Sequence, residues 1–237
     1  MAIYTARIPS AYIATVSIAP NDFDDGLREF SKHYQIKSGF GKAGRPPKLP
    51  FKHQALALVL HFYTATCEPK TLCEVFGIPP STLSATLAKA ELAIAKALRS
   101  LRDAQVRYPS KQLQCEWAIK VRARESLVRG VWVFLDGKNY KVRKPSSADL
   151  QNAMYIGWLH CTFVTGTLFF GVDGTIVWCH HNFVGSWNDG DTSLRLQLKL
   201  RYRRFTEDGH GVVADLAFPV SDGLICKIRT PLKDGDL

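Results

Sequence analysis

Residues 131–137 read VWVFLDG, which is five apolar residues followed by Asp136 and Gly137. A short apolar run of this kind, rich in valine and aromatic residues and closed by turn formers, predicts a buried strand. That strand would deliver the Asp136 carboxylate at its C-terminal edge. A second stretch, residues 211–218 (GVVADLAF), repeats the pattern and delivers Asp215.

The two aspartates suggest a metal site. An acid at the tip of an apolar strand is unusual, because an unpaired charge beside a buried core is costly. If the two strands are neighbours, Asp136 and Asp215 form a strongly negative pocket, in which one pKa rises unless a metal ion neutralises the charges. Mg²⁺ or Mn²⁺ is the usual solution. The alternative is that each aspartate only begins a turn.

The composition is that of a folded, basic protein. The chain has 237 residues, of which 46% are apolar, and a formal net charge of +10. This apolar content excludes a largely disordered chain. The sequence has no run of about 18 apolar residues, the minimum for a spanning helix, and its N-terminus is a poor signal peptide. We therefore expect a soluble, intracellular protein without a membrane partner, whose charge is compatible with binding nucleic acid.

Composition also divides the chain into segments. These are a mixed N-terminal segment (1–40), a basic Gly/Pro connector (41–50), a helical region (51–107), a second connector (108–130) and a β-rich region (131–237). Prolines exclude a helix from the first connector. Further helices are predicted around Asp22–His33 and over Asp191–Arg204.

The helical region has the outline of a helix-turn-helix. The pattern predicts an amphipathic helix over Phe51–Thr64, a short helix over Thr71–Phe76, and a longer helix from Thr82 to about Leu98. Gly77 is a natural left-handed stop, and Ser81 is the predicted N-cap of the longer helix. A short helix, a turn with glycine and a longer helix are typical of this motif.

Two features predict contact with double-stranded DNA. Near the start of the longer helix, Ser81, Thr82, Ser84 and Lys89 would face outward, where such residues suit approach to phosphates and base edges. The connector carries Arg45 and Lys48 around a Gly-Arg-Pro sequence that could enter a narrow minor groove. The alternatives are a generic helical bundle and a solvated linker, and the local pattern does not choose between them.

A family resemblance covers roughly residues 40–237. It is carried, in order, by GRPPKLPFKHQALALVLHFY, KTLCEVFGIPPSTLSATLAKAE, VWVFLDGKNYKVRKPSSADLQNAMYIGWLHCTFVTG, NFVGSWNDGDTS and GVVADLAFPVSDG. In these motifs the chain resembles the Harbinger-type transposase-derived nucleases, a branch of the DDE superfamily. The resemblance implies an α/β fold, with an RNase H-like mixed sheet and flanking helices preceded by a small helix-turn-helix-like domain.

The resemblance also implies a function. It implies a metal-dependent DNA endonuclease that cleaves phosphodiester bonds with water activated by two Mg²⁺ or Mn²⁺ ions. Asp136 and Asp215 would be the first and second catalytic acids and ligands of the metal. It further implies a nuclear protein whose partners are double-stranded DNA and a DNA-binding protein.

The chain departs from the family pattern near its end. The family's third acid lies on a helix beyond the second, whereas only 237 − 215 = 22 residues follow Asp215 here. Their acids, Asp222, Asp234 and Asp236, all lie beside glycines in turn-like contexts. We therefore expect a chain truncated before the third acid and catalytically impaired. The alternative is a catalytically dead DNA-binding or adaptor protein, and a third reading is an unrelated α/β domain.

Two substitutions and one further acid lie within the matched motifs. Asn188 stands where the family usually has histidine, and Leu216 where it usually has serine. The family's Gly-Ser-x-His-Asp element corresponds to residues 185–189. We expect Asp189, its last residue, to be a local structural or metal-proximal acid.

Overall fold

The computed structural model of the chain describes residues 2–36, 46–65, 67–218 and 223–231. The chain divides into two compact units, Met1–Gln105 and Val106–Leu237. Over the described residues, the first unit contains helices and no strand, and the second has a mixed sheet with flanking helices. Among those same residues, no helix is both long and apolar enough to cross a membrane.

The first unit is helical throughout its described part. Its helices are α1 (Ala2–Ala6), α2 (Pro9–Val16), α3 (Pro20–His33), α4 (Lys52–Thr64), α5 (Pro69–Phe76) and α6 (Pro80–Ser100), followed by a 3₁₀ turn at Arg102–Ala104. The helix predicted around Asp22–His33 is confirmed as α3. The helix predicted over Phe51–Thr64 is confirmed as α4, but Ala55–Val59 are all buried. Helix α4 is therefore covered on all sides along its middle, rather than amphipathic.

The turn between α5 and α6 follows the predicted outline with one error. Gly77 ends α5 in the left-handed conformation, with φ +62°, as predicted. The prediction that Ser81 is the N-cap of α6 is wrong, because the helix begins at Pro80 and its N-cap is Pro79. Proline suits the first helical position, since it lacks an N–H that would have no partner there. Ser81 therefore lies inside the first turn of α6.

Two apolar clusters stabilise the first unit. The larger joins α2, α3, α4 and α6, and its fully buried aromatic rings are Tyr12, Phe23 and Phe30. The smaller lies under α5 and the start of α6 and consists of Leu49, Leu58, Leu72, Ile78 and Leu83. Burying such side chains contributes about 1.5–3 kcal/mol each, so the turn before α6 is held by packing as well as by its glycine.

The second unit contains the strands. In chain order its elements are α7 (Lys111–Arg124), β1 (Val131–Lys141), α8 (Ala148–Met154), β2 (Tyr155–Ile156), β3 (Cys161–Gly171), β4 (Ile176–Val184), α9 (Asp189–Arg201), β5 (Gly211–Val213) and β6 (Ile228–Arg229), with a 3₁₀ turn at Gly157–Leu159. Helix α7 lies within residues 108–130, for which the sequence predicted a connector. Helix α9 begins and ends slightly before the predicted Asp191–Arg204.

The sheet is mixed, with β1 at its centre. Strands β4, β3 and β1 are antiparallel neighbours, whereas β1, β5 and β6 run parallel, and the short β2 pairs with β3. Helix α7 packs on β1, and α9 packs on β3 and β4. This arrangement of a mixed sheet with flanking helices is consistent with a DDE nuclease fold.

Strand β1 is longer than the sequence predicted. Asp136 lies in its middle, opposite Leu168 of β3, and the antiparallel pairing continues to Lys141. The prediction that Asp136 ends the strand is therefore wrong for this side of the sheet. On the other side, the pairing of β1 with β5 stops at Phe134. The change from apolar to polar residues along β1 therefore coincides with the end of its pairing with β5, and not with the end of the strand.

The core of the second unit is aromatic. Trp132 of β1 is fully buried, and its ring lies 5.5 Å from that of Phe169 and 6.4 Å from that of Trp117 of α7. Gln114 of α7 is also fully buried, and its amide nitrogen donates to the carbonyl of Phe205 at 2.7 Å. These contacts fix α7 and the segment after α9 to the sheet, and so fix the strands that carry the acids.

Candidate active site

Asp136 and Asp215 each lie two positions past the last pair that joins β1 to β5. Phe134 pairs with Val213, an offset of 213 − 134 = 79 positions, and the two acids are also 215 − 136 = 79 positions apart. Each acid therefore follows the last residue of the β1–β5 pairing by two positions. Neighbouring strands lie about 4.8 Å apart, so continuing this register for two residues places the two aspartates side by side.

The side chain of Asp136 belongs to the open face of β1. Val133 and Leu135 are buried, whereas Phe134 is 44% exposed and Asp136 is also exposed. Successive side chains of a strand point to opposite faces of the sheet, so one face is covered here and the other is open. Asp136 is on the accessible side.

Asp215 is exposed as well and is held by its own turn. Its Oδ1 accepts a hydrogen bond from the backbone N–H of Ala217 at 3.1 Å. This bond is the Asx-type turn that the sequence alternative described. It uses one carboxylate oxygen and leaves the other available, so a role in the turn does not exclude a second role for Asp215.

A third carboxylate, that of Asp189, is half-buried behind the pair. Asp189 is the first residue of α9. A Cβ placed on Gly137 would lie 2.5 Å from Asp189 Oδ1, so the carboxylate rests against the backbone of residue 137. The face of β1 at residue 137 is opposite to that at residue 136. Asp189 therefore approaches the pair from the covered side of the strand.

The backbone of α9 fixes the position of Asp189. Asn188 is the N-cap, and its side-chain oxygen accepts from the N–H of Asp191 at 2.9 Å. One turn later, the hydroxyl of Thr192 lies 2.8 Å from that of Thr167 on β3, and both residues are buried. Asn188 thus serves here as a helix cap.

The electrostatics connect the three acids. The pKa of Asp189 is raised, first because burial disfavours its charged form, and then because Asp215 and Asp136 add negative potential. Three carboxylates that share a field in this way gain stability from a cation placed among them.

The donor atoms of the pair suit a hard divalent cation. Carboxylate oxygens are the ligands that Mg²⁺ and Mn²⁺ prefer, so Asp136 and Asp215 fit such an ion, with Asp189 as a negative charge behind them. In the described part of the chain, no group of three His, Cys, Asp or Glu side chains is arranged to hold a metal ion. The fit therefore rests on the chemistry and register of the pair.

The predicted DNA-contacting residues lie in the first unit. Four of them, Lys48, Ser81, Thr82 and Lys89, line one groove with a volume of about 440 Å³. We call it the α6 groove. Ser84 is exposed on α6 but does not line this groove. Arg45 lies outside the described residues, as do Asp222, Asp234 and Asp236.

Sequence reasoning missed two residues of these sites. Gly137 follows the first acid directly, and the absence of a side chain there admits Asp189. Thr86 lines the α6 groove beside Thr82. The spacing of four residues on one helix was the available signal for Thr86, whereas nothing local to Gly137 indicates what lies against it.

Comparison with known proteins adds a family match for the second unit. Residues 135–236 match the family described as DDE superfamily endonuclease. The matched stretch is less than half of the chain and contains Asp136, Asp189 and Asp215. Endonucleases of this family act on DNA and generally use divalent metal ions. Searches of curated proteins and of solved structures find no match.

Proposed function

We propose that this protein is a metal-dependent DNA endonuclease derived from a Harbinger-type transposase. The observation that carries the proposal is that Asp136 and Asp215 each follow the last β1–β5 pair by two positions, inside the stretch that matches the DDE superfamily endonucleases. Two exposed carboxylates side by side are unfavourable without a cation. Their arrangement is therefore better explained by ligand binding than by two unrelated turns.

In this proposal Asp136 and Asp215 hold the metal, and Asp189 strengthens the negative field behind them. Bound Mg²⁺ or Mn²⁺ would supply Lewis-acid polarisation of a phosphate oxygen and a water acidic enough to attack at neutral pH. The open face of β1 admits the DNA backbone to the two carboxylates. The net charge of +10 favours approach of the polyanion to the protein as a whole.

The proposal assigns DNA binding to α5 and α6, in the manner of a helix-turn-helix. Support comes from the Gly77 turn between them and from Lys48, Ser81, Thr82 and Lys89, which share one groove. Ser84 and Arg45 belong to the same proposed contact. A nuclear location and a DNA-binding partner protein complete the proposal.

The test is metal-dependent nicking of supercoiled plasmid by the full chain. We expect nicking in Mg²⁺ or Mn²⁺ that is lost in Asp136→Asn and in Asp215→Asn and retained in Asp149→Asn. The control removes the same charge from an exposed position at the start of α8. Nicking that survives both substitutions would refute the assignment of the two acids.

The same nicking assay, together with duplex binding, tests the expectation that catalysis is impaired. The observation that favours the alternative, a catalytically dead DNA-binding or adaptor protein, is the α6 groove. Its lysines can contact DNA whether or not the two acids hold a metal ion. Salt-sensitive duplex binding without nicking in either metal would support that alternative. Weak nicking that still requires Asp136 would support an impaired enzyme.

A further inference from the structure

Another groove of the first unit lies between α3, α4 and α6, and we call it the α3–α6 groove. Its volume is about 370 Å³. Its apolar lining comes from Ile18, Leu56, Leu60, Ile94, Leu98 and Leu101. Leu98 is 42% exposed, so part of this apolar surface is open to solvent. A contiguous exposed apolar surface that is rimmed by polar residues is typical of an interaction site.

The rim of the α3–α6 groove is acidic. Asp22 and Asp25 of α3 and Asp103 of the 3₁₀ turn line it, and Arg102 is the opposing cation among the described lining residues. Asp25 is paired with Arg28 at 2.8 Å, whereas Asp22 and Asp103 form no ion pair within the described residues. The chain as a whole carries a net charge of +10. An occupant that combines apolar and basic groups complements this groove.

Gly26 of α3 adds an observation that the fold of the first unit does not explain. Within a helix, glycine is less stabilising than alanine. Gly26 is not in the left-handed region, and a Cβ placed on it would meet no packing partner within 4 Å among the described residues. Gly26 lines the α3–α6 groove. The missing side chain therefore lets an occupant of the groove approach the backbone of α3 closely.

Helix α9 of the second unit has a complementary surface. Leu196 and Leu200 are fully buried in the core of that unit. Leu194, Leu198 and the C-cap Tyr202 are instead exposed, by 57%, 43% and 59%. Successive members of this set are four positions apart, so they form one stripe along the helix, which we call the α9 stripe. Amphipathic helices bind apolar grooves through anchors with this spacing.

Arginines flank the α9 stripe. Arg195 precedes Leu198 by three positions, and Arg201 follows it by three. Both arginines are exposed, and neither forms an ion pair in the described part of the chain. Asp191 lies at the N-terminal end of α9, one turn before Leu194. The remainder of the stripe is therefore apolar with basic flanks.

We propose that the α3–α6 groove of one copy of this protein binds the α9 stripe of a second copy. The leucines and the tyrosine of the stripe cover the apolar floor of the groove, and the arginines approach its acidic rim. One chain thus supplies both halves of the contact, and because the two halves are different surfaces, the interface is heterologous. The paired acids and the α6 groove take no part in it, so this inference does not depend on the proposed function.

Analytical ultracentrifugation of the full chain at increasing concentration tests for self-association. We expect the wild type to associate, and Leu98→Glu and Leu194→Glu each to weaken association by at least about tenfold, because each puts a charge into an apolar contact. Leu92→Glu on α6 and Ile119→Glu on α7 are the matched controls. Both positions are exposed and lie outside the groove and the stripe, so these two variants should associate like the wild type.

Two results of this experiment would overturn the proposal. One is association that survives either Leu98→Glu or Leu194→Glu. The other is a wild type that stays monomeric at every concentration, which would point to a basic segment of another protein as the occupant of the groove. Circular dichroism of each variant checks that it is folded.

Charge reversal tests which surfaces meet. The double variant Asp22→Lys/Asp103→Lys makes the rim of the groove basic, and Arg195→Glu makes the stripe more acidic. Each variant alone should associate more weakly than the wild type by about tenfold, because like charges then face each other. In an equimolar mixture, the basic rim meets the altered stripe and the unaltered rim meets the unaltered stripe. The mixture should therefore associate more tightly than either variant, and a mixture no tighter than the separate variants would overturn the proposal.

Gly26→Ala should change stability and association in opposite directions. The melting temperature should rise, because alanine stabilises the helix. Self-association should weaken by about tenfold, because the methyl group fills space that the α9 stripe approaches. A glycine with only a structural role would change stability alone. Unchanged association in Gly26→Ala would overturn the placement of α9 against α3.

Discussion

Replacing Gly137 with alanine tests whether Asp189 rests against the strand that carries Asp136. The new Cβ would lie 2.5 Å from Asp189 Oδ1 and 3.1 Å from its Cγ. Nonbonded atoms prefer about 3.5–4 Å, so the carboxylate must move by roughly 1 Å or rotate away. Overpacking of this kind costs about 1–3 kcal/mol, and we expect the lower half of that range because the atoms displaced are the end of a side chain.

Urea denaturation of five proteins measures the effect. The wild type, Gly137→Ala, Asp189→Ala and the double variant form a thermodynamic cycle, and Gly157→Ala is the matched control because no atom lies within 4 Å of its added Cβ. Gly137→Ala should lower the free energy of unfolding by about 1–2 kcal/mol. Gly157→Ala should leave the free energy of unfolding within about 0.5 kcal/mol of the wild-type value.

The double variant carries the decisive comparison. Asp189→Ala removes the atoms that the new Cβ meets, so Gly137→Ala should cost little in that background. The coupling free energy should then fall within about 0.5–3 kcal/mol, as for residues in contact. Additive losses would refute the placement of Asp189 behind the acid pair.

Three further substitutions test other parts of the second unit. Burial and the charges of Asp215 and Asp136 raise the pKa of Asp189, so the folded state keeps this proton at pH values where the unfolded chain has lost it. The free energy of unfolding therefore falls as the pH rises from the unfolded-state pKa to the raised folded-state pKa, and Asp189→Asn should lack this fall when urea titrations are compared across acidic pH. Burial raises the pKa of Tyr108 to about 12, so wild-type stability should fall between about pH 10 and 12, and Tyr108→Phe should lose less over this range. Gln114→Leu leaves buried carbonyls without a donor and should destabilise the fold by about 2–4 kcal/mol.

The contradicting results are equally specific. If the free energy of unfolding of Asp189→Asn varies with pH as it does in the wild type, the raised pKa of Asp189 is contradicted. If Tyr108→Phe loses as much stability at alkaline pH as the wild type does, that loss comes from groups other than Tyr108. Gln114→Leu with wild-type stability would show that the hydrogen bonds of its amide contribute little.

The parts of the fold that the sequence predicted are those with local signals. The apolar run from Val131 predicted a strand, Gly77 predicted a left-handed stop, and both are confirmed. The second apolar run also predicted a strand, which is confirmed as β5. Signals of this kind depend on a few neighbouring residues, so a single sequence contains them.

The remaining features depend on contacts between distant residues. Strand β1 continues past Asp136 because β3 lies beside it, and no residue near Asp136 records that partner. The helix start at Pro80 is an exception, because it depends on the local preference of proline for the first helical position, which the prediction of Ser81 overlooked. The place of Asp189 depends on Gly137, which is 52 positions earlier in the sequence. The roles of Asp136 and Asp215 stay predictions.

Manganese uptake by the full chain tests the paired acids most directly. Isothermal titration calorimetry should show saturable Mn²⁺ binding to the wild type and to Asp149→Asn. Binding to Asp136→Asn and to Asp215→Asn should each be weaker by at least about tenfold, since each variant loses one carboxylate ligand. No uptake by the wild type, or equal uptake by all four proteins, would contradict a divalent metal held between β1 and β5.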